Sequence, residues 1–330
     1  MKKVLIIKNK KSLGGLTTWI KYLEEGFSRK NLDITIVRPN LSIFFKLKNI
    51  DLVHIYEFSI FAFLLTAIAK IKKIPVLATV HADFFTSLTL SDPVKKNIAV
   101  AATSYCLKNA TRITVPTDYL KNILSEKNLG LQVKIVKIPN CLDLKYISTI
   151  KPFVDKSKEI KIVQITDFRY LHKAKGVVDA VSAIKIFTKE KIKLEIIGGR
   201  GFFSYFNNKY SSKNIIFIGS VPHDTALKYL KSADIVIHPT YLDNSPMAIL
   251  EAFACAKPVI CYDTGGIKET ARGCAIFCKP EDLAREIRNL VSNKKKRCEM
   301  AKVSKARSLD YSNKIISKKF ERLYNCLIDG

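Results

Sequence analysis

Short runs rich in valine and isoleucine recur along this chain, and each is followed by a longer stretch with helical apolar spacing. Strands that alternate with helices in this way fit a parallel sheet whose strands are joined by crossover helices. In the first half, strands are expected at 4–8, 34–37, 52–55, 76–79, 112–115 and 133–138, with helices at 17–29, 60–70, 95–108 and 118–127. Residues 140–158 mix Pro152, lysines and short polar side chains without a sustained period, which marks a linker. The pattern then restarts, with strands at 160–165, 194–197, 215–218, 235–238, 259–261 and 275–277. Helices follow at 177–188, 225–232, 248–256, 281–291 and 314–327. One core rarely outgrows about 250–300 residues, so a chain of 330 with a restarted pattern predicts two doubly wound α/β domains. The expected division is 1–149, 150–311 and a final helical segment, 312–330. The carboxyl-end edges of two such sheets, facing each other, would form a cleft.

Composition narrows the partners. Hydrophobic residues make up 48% of the chain, which excludes a disordered or low-complexity class. Fifty-six Lys and Arg against 29 Asp and Glu leave a net charge of +27. That surplus reads either as affinity for an anionic partner, such as phosphate or an acidic membrane surface, or as a lysine-rich solvated exterior. No recognised RNA or DNA motif and no cluster of stacking aromatics accompanies it, so nucleic acid is not an expected partner. None of the eight cysteines stands in a C-x-x-C pair, and Cys255 and Cys261 lie in apolar runs as small core residues. With no signal-peptide pattern after Met1, the expected location is cytoplasmic, with peripheral association on the inner face of the membrane as an option. The longest apolar stretch, 58–69, is too short to span about 30 Å of hydrocarbon, and reads as a buried helix or one that faces a membrane.

Five segments can carry chemistry. Gly14 and Gly15 follow the first strand and open a helix, either as an anion site or as a plain strand-to-helix turn. His81 stands at the end of the fourth strand, where a polar group either serves a site or is satisfied beneath a loop. After the first strand of the second half, Arg169 can fork onto phosphate oxygens and Lys175 can add a point charge beside a helix start. The same segment can equally be a solvated basic loop. The fourth segment runs from Asp243 to Ile260. Pro246 suits a helix start with Ser245 or Asn244 as cap, which puts Asp243 in the preceding loop and Glu251 in the second turn. Glu251 is surrounded by Ala248, Ile249, Leu250, Ala252, Phe253 and Ala254, and a carboxylate there is costly unless something binds it. Such an acid can accept a pair of hydrogen bonds from vicinal ribose hydroxyls. Gly265 and Gly266 follow the next strand, as a phosphate or sugar contact or a simple turn.

Together these residues resemble the retaining GT-B glycosyltransferases of glycosyltransferase family 4. Asp243 to Glu269 carries the strongest likeness: an acid-x7-acid block, a small-residue helix, Pro-Val and a Gly-Gly turn. Gly14-Gly15 is similar to the family's glycine loop, Ile138-Pro139-Asn140-Cys141-Leu142-Asp143 to its I-P-N-G-V-D junction, and Gly198-Gly199-Arg200-Gly201 to its G-x-G turn. The resemblance implies a fold of two Rossmann-like domains facing a central cleft, an N-terminal acceptor domain, a C-terminal donor domain and a last helix crossing back to the first. It also implies roles. Glu251 would bind the donor ribose, and Asp243 the transferred sugar. Arg169 and Lys175 would stabilise the diphosphate, while Gly14, Gly15, Gly199, Gly265 and Gly266 line the donor and His81 orients the sugar. Asp243 replaces the more usual Glu, Cys141 replaces Gly, and the Arg169–Lys175 spacing is longer than the family's.

The implied reaction moves a sugar from a UDP- or GDP-sugar to a saccharide or lipid-linked saccharide acceptor, with retained configuration and no divalent metal or other cofactor. A nucleotide-sugar epimerase of the same fold, or a non-catalytic nucleotide-sugar-binding partner subunit, is the alternative.

Overall fold

The computed structural model describes residues 1–330 apart from 8–13, 29–31, 41, 82–92, 127–129, 155–156 and 189. The chain divides into two compact units, Met1–Cys141 with Asn313–Gly330, and Leu142–Ser312. The division at Cys141 falls earlier than the expected boundary at 149. Residues 144–149, read from sequence as linker, instead form a helix, capped by Asp143 Oδ1 accepting from the Tyr146 N–H at 2.9 Å.

The first unit is built on six parallel strands: β1 (Lys2–Ile7), β2 (Leu32–Val37), β3 (Leu52–Ile55), β4 (Val76–Thr79), β5 (Arg112–Val115) and β6 (Ile135–Lys137). Their order is β2-β1-β3-β4-β5-β6. β3 and β4 are buried along their whole length, as strands covered on both faces must be. The helices that bear on the argument are α1 (Gly15–Gly26), α2 (Ser42–Lys46), α3 (Ile60–Ile71), α4 (Pro93–Asn109) and α5 (Asp118–Glu126).

The second unit holds α6 (Leu144–Thr149), β7 (Ile160–Ile165), α7 (Leu171–Lys185), β8 (Ile192–Ile197), α8 (Phe203–Tyr210), β9 (Ile215–Gly219) and α9 (His223–Ser232). It continues through β10 (Ile235–His238), α10 (Met247–Ala254), β11 (Val259–Tyr262), α11 (Ile267–Ala271), β12 (Ala275–Cys278), α12 (Leu283–Ser292) and α13 (Lys294–Ser308). The strand order β12-β11-β10-β7-β8-β9 is parallel throughout, so the chain reverses its direction of winding between β7 and β10.

The final helix, α14 (Asn313–Asp329), belongs to the first unit and packs along α1. Its side chains meet carbonyls in the last turns of α1, among them Gly26 O at the helix end. Asn313 Nδ2 donates to Tyr22 O at 3.1 Å, and Ser317 Oγ donates to Gly26 O at 2.6 Å.

α13 was not expected from sequence. Its run KKKRCEMAKVSKARS has no apolar stripe, and it docks through the buried small residues Ser304 and Ser308. Lys305 Nζ closes the packing by donating to Ala254 O, at the end of α10.

Candidate active site

In an open parallel sheet, ligands lie beyond the carboxyl ends of the strands where the winding reverses. In the second unit that rule selects the segments after β7 and β10. They contain Arg169 and Asp243.

After β7, the Asp167 carboxylate accepts from the Arg169 backbone N–H at 3.1 Å, and from its Nε and Nη2 at 3.0 and 2.5 Å. These hydrogen bonds to Asp167 raise the guanidinium pKa further, and the group stays partly exposed. No side chain caps the start of α7, so its first N–H groups are presented as a helix start does to an anion.

Gly176 lets α7 lie hard against the segment after β10. A Cβ on it would stand 1.4 Å from the Pro239 carbonyl oxygen. Because residues three apart share a helix face, this contact also turns Lys173 toward β10. Lys173 Nζ reaches Asp243 Oδ2 at 2.8 Å, and His238 Nε2 lies 3.4 Å from the same oxygen. Burial works to raise the Asp243 pKa, but the Lys173 charge and the His238 hydrogen bond outweigh it and hold the carboxyl well below the usual range. Burial likewise works against the Lys173 charge, and Asp243 overrides it.

Lys175 goes elsewhere. Its Nζ sits 4.1 Å from the centre of the Tyr241 ring, whose hydroxyl donates to Asp179. Of Lys173 and Lys175, the residue the sequence singled out is thus the one not brought to Asp243. Gly265, at φ +57°, sits under Asp243, where a Cβ would come within 2.1 Å of its carbonyl oxygen. The neighbouring Gly266 N–H donates to that oxygen at 3.0 Å. Gly199 follows β8 and packs on Ser220.

α10 begins at Met247 after Pro246, with no side-chain cap. Asn244 and Ser245, expected as caps, are buried instead, and the Asn244 N–H donates to Asp243 Oδ1. Glu251 is 5% exposed on the second turn of α10. His223, the first residue of α9, donates from Nε2 to Glu251 Oε1 at 2.8 Å. The ring of Tyr146 on α6 stacks on His223 at 6.4 Å, and its hydroxyl donates to Asp224. Lys173, His238 and His223 are site neighbours that sequence reasoning did not single out. His238 ends a strand at the winding reversal, so the topology rule would have found it once the strand order was known.

In the first unit, Gly14 caps α1 at φ 93° and ψ −151°, a conformation open to glycine alone, and a Cβ there would meet empty space. Gly15 is the first residue of the helix. His81 follows β4 with its ring edge-on to Trp19 at 4.3 Å, and burial lowers its pKa to about 4 against a hydrogen bond with Asn140. That bond joins two motifs that lie far apart in sequence. Cys141, which stands where a glycine was expected, is buried with its thiol 3.8 Å from Trp19 O. No disulfide joins any of the eight cysteines. Among the described residues, no group of three or more His, Cys, Asp or Glu side chains is placed to hold a metal ion. None of the described helices is long and apolar enough to cross a membrane.

Two parallel α/β units, one with a pair of carboxylates and their basic partners at its winding reversal, define a doubly wound protein whose candidate site lies at the carboxyl edge of a sheet. Residues 21–146 match the sequence model of the family described as Glycosyltransferase Family 4, and residues 148–307 match that described as Glycosyl transferases group 1. The chain belongs to the GT-B glycosyltransferases.

A Campylobacter jejuni relative, N,N'-diacetylbacillosaminyl-diphospho-undecaprenol alpha-1,3-N-acetylgalactosaminyltransferase, is 28% identical over 149 residues, which cover 42% of this chain and 39% of that protein. The match thus spans well under half of the relative's length. The fold is similar to Anabaena HepE, solved in complex with UDP and glucose, at a TM-score of 0.80 and 13% identity, covering 98% of this chain and 100% of that one. It is also similar to sucrose-phosphate synthase from Thermosynechococcus elongatus, at a TM-score of 0.79 and 15% identity over the whole of both chains.

Proposed function

We propose that this glycosyltransferase takes a sugar from a UDP- or GDP-sugar and places it, with retained anomeric configuration, on a saccharide or lipid-linked saccharide. The observation that carries the reading is the pair of carboxylates, half-buried Asp243 and buried Glu251, on one loop-helix segment at the winding reversal, each held by basic side chains. Lys173 and His223 offset the desolvation of these acids, and carboxylates set beside specific basic partners at a sheet's carboxyl edge mark a candidate site. Glu251 takes the ribose hydroxyls and Asp243 the transferred sugar. The diphosphate is assigned to Arg169 and the open start of α7, with Lys175, which rests on the Tyr241 ring, as a further cation, and Gly199, Gly265 and Gly266 let backbone approach the donor. In the other unit, Gly14 and Gly15 offer N–H groups at the start of α1. His81, neutral near pH 7 because its pKa is about 4, orients the sugar by hydrogen bonding rather than by charge.

In the reaction, the bond between the anomeric carbon and the β-phosphate oxygen breaks, and its electron pair leaves with the nucleoside diphosphate. The acceptor hydroxyl attacks the same face, and its proton passes to the departing phosphate oxygen. Developing charge on that oxygen is met by fixed cations and helix N–H groups, an electrostatic arrangement that needs no divalent metal. The undecaprenol-linked acceptor in the name of the Campylobacter relative supports a lipid-linked acceptor here.

The test is thermal stability with a panel of nucleoside diphosphates and nucleotide sugars, in EDTA. One base series is expected to stabilise the protein by about 2.7 kcal/mol at a hundred times its dissociation constant. Glu251→Gln should weaken that binding by about tenfold or more, and turnover should persist in EDTA. A panel with no stabilising member would defeat the proposal.

A further inference from the structure

The stretch 58–69 left two readings open, buried helix or membrane-facing helix, and α3 has features of both. Ser59 caps it, its Oγ accepting from the Ala62 N–H at 3.2 Å. Ala62, Leu65, Thr66 and Ala69 form the stripe packed into the first unit. On the opposite side Ile60 is 61% exposed, Leu64 42% and Ile71 80%. These positions are four and eleven residues apart, which at about 100° per residue brings them within roughly 40° of one another around the axis. They form one apolar stripe about 16 Å long.

Single exposed apolar side chains are ordinary, but a stripe on one helix is not. Its surroundings have a distinctive charge and apolar character. α3 packs beside α4, where Ile98 is also 46% exposed, and the Phe44 ring of α2 meets Phe61 of α3 at 5.3 Å. None of α2, α3 and α4 contains an Asp or a Glu. At the carboxyl end of α3, Lys70, Lys72 and Lys73 are all exposed beside Ile71. The sequence LKN after α2 adds the exposed Lys48. A protein partner would need matched acidic and apolar groups at defined points. A leaflet with anionic headgroups over an apolar interior supplies both chemistries without such matching.

We infer that the exposed face of α3, with its flanking lysines, lies in the interface of an anionic membrane leaflet and anchors the protein there. Ile60, Leu64 and Ile71 enter the headgroup–acyl boundary while Lys70, Lys72 and Lys73 meet the lipid phosphates. The inference is independent of the donor chemistry, because vesicle binding requires neither nucleotide nor turnover.

The experiment is co-sedimentation of the full chain with phosphatidylcholine vesicles, with and without phosphatidylglycerol, at low and high salt. Binding is expected only with phosphatidylglycerol, and should weaken as salt rises. Ile60→Glu with Leu64→Glu should reduce it by about tenfold or more. Replacing Lys70, Lys72 and Lys73 with Gln should reduce it by about a hundredfold at low salt. Both variants should keep the wild-type thermal midpoint and nucleoside diphosphate binding, which separates this result from any failure of the donor reading. Should the glutamate variant not fold, the glutamine variant carries the test alone. Equal binding to neutral and anionic vesicles, or variants that bind like the wild type, overturns the inference. Concentration-dependent self-association lost in the same variants, with no vesicle binding, also overturns it and assigns the face to a second copy of the chain.

Discussion

Lys173 and Lys175 stand about 200° apart around α7, so only one of them can face β10. Which one does is set by Gly176, the residue whose missing side chain admits the Pro239 carbonyl. Lys173→Met would leave the half-buried Asp243 carboxylate without its cation, at a cost of about 2 kcal/mol in unfolding free energy. Lys175→Met removes only a contact with an aromatic face, worth about 1 kcal/mol or less, so denaturant titration of the two variants should separate them. His54 gives a second residue-scale prediction. It is fully buried, its Nδ1 2.8 Å from the Tyr324 hydroxyl and its Nε2 2.7 Å from Thr79 Oγ1. Burial, and to a smaller degree the nearby His81, lowers its pKa to about 3. Below pH 6.5 the unfolded chain takes up a proton that the folded chain refuses, so stability falls with pH. The expected slope from His54 is about 1.4 kcal/mol per pH unit between pH 6 and pH 4, with His81 adding in the same direction. In His54→Gln, chemical denaturation across that range should show a shallower slope.

At the scale of elements, the strands were legible because valine and isoleucine runs have few alternatives in a parallel sheet. The helices were legible where they carry an apolar stripe. α13 lacks one and α6 lies in a segment that reads as linker, so both depend on contacts remote in sequence, such as Lys305 with the end of α10. Two positions on these helices predict opposite changes. Gly176→Ala forces a methyl group into the Pro239 backbone and should cost about 3 kcal/mol or more, or prevent folding of the second unit. Ala256 follows the C-cap of α10 at φ 55°, a left-handed conformation that a side chain disfavours. Ala256→Gly should therefore raise stability by about 1 kcal/mol, visible as an increased thermal midpoint.

At the scale of the whole molecule, the first and last parts of the chain make one folding unit. Ile316, Phe320 and Tyr324 of α14 are buried in it, Phe320 stacking on His54 at 5.6 Å. Ending the chain before Asn313 would expose that surface and remove the hydrogen bonds to the Tyr22 and Gly26 carbonyls of α1. Burial of three such side chains is worth about 5 kcal/mol or more, so the truncated chain should lose the first unit to limited proteolysis while the second unit persists.

The sequence alone determined the alternation of strands and helices, the restart that makes two units, and the acid-x7-acid segment with Asp243 and Glu251. These are local patterns, and periodicity and desolvation cost are properties of a short stretch of chain. Tertiary structure decided the strand order, and with it where the winding reverses. It also decided that Lys173 rather than Lys175 meets Asp243, that His223 meets Glu251, and that Asn140 meets His81. Each of those pairs joins residues from different elements, and their contact depends on how helices pack on a sheet, which no window of sequence contains.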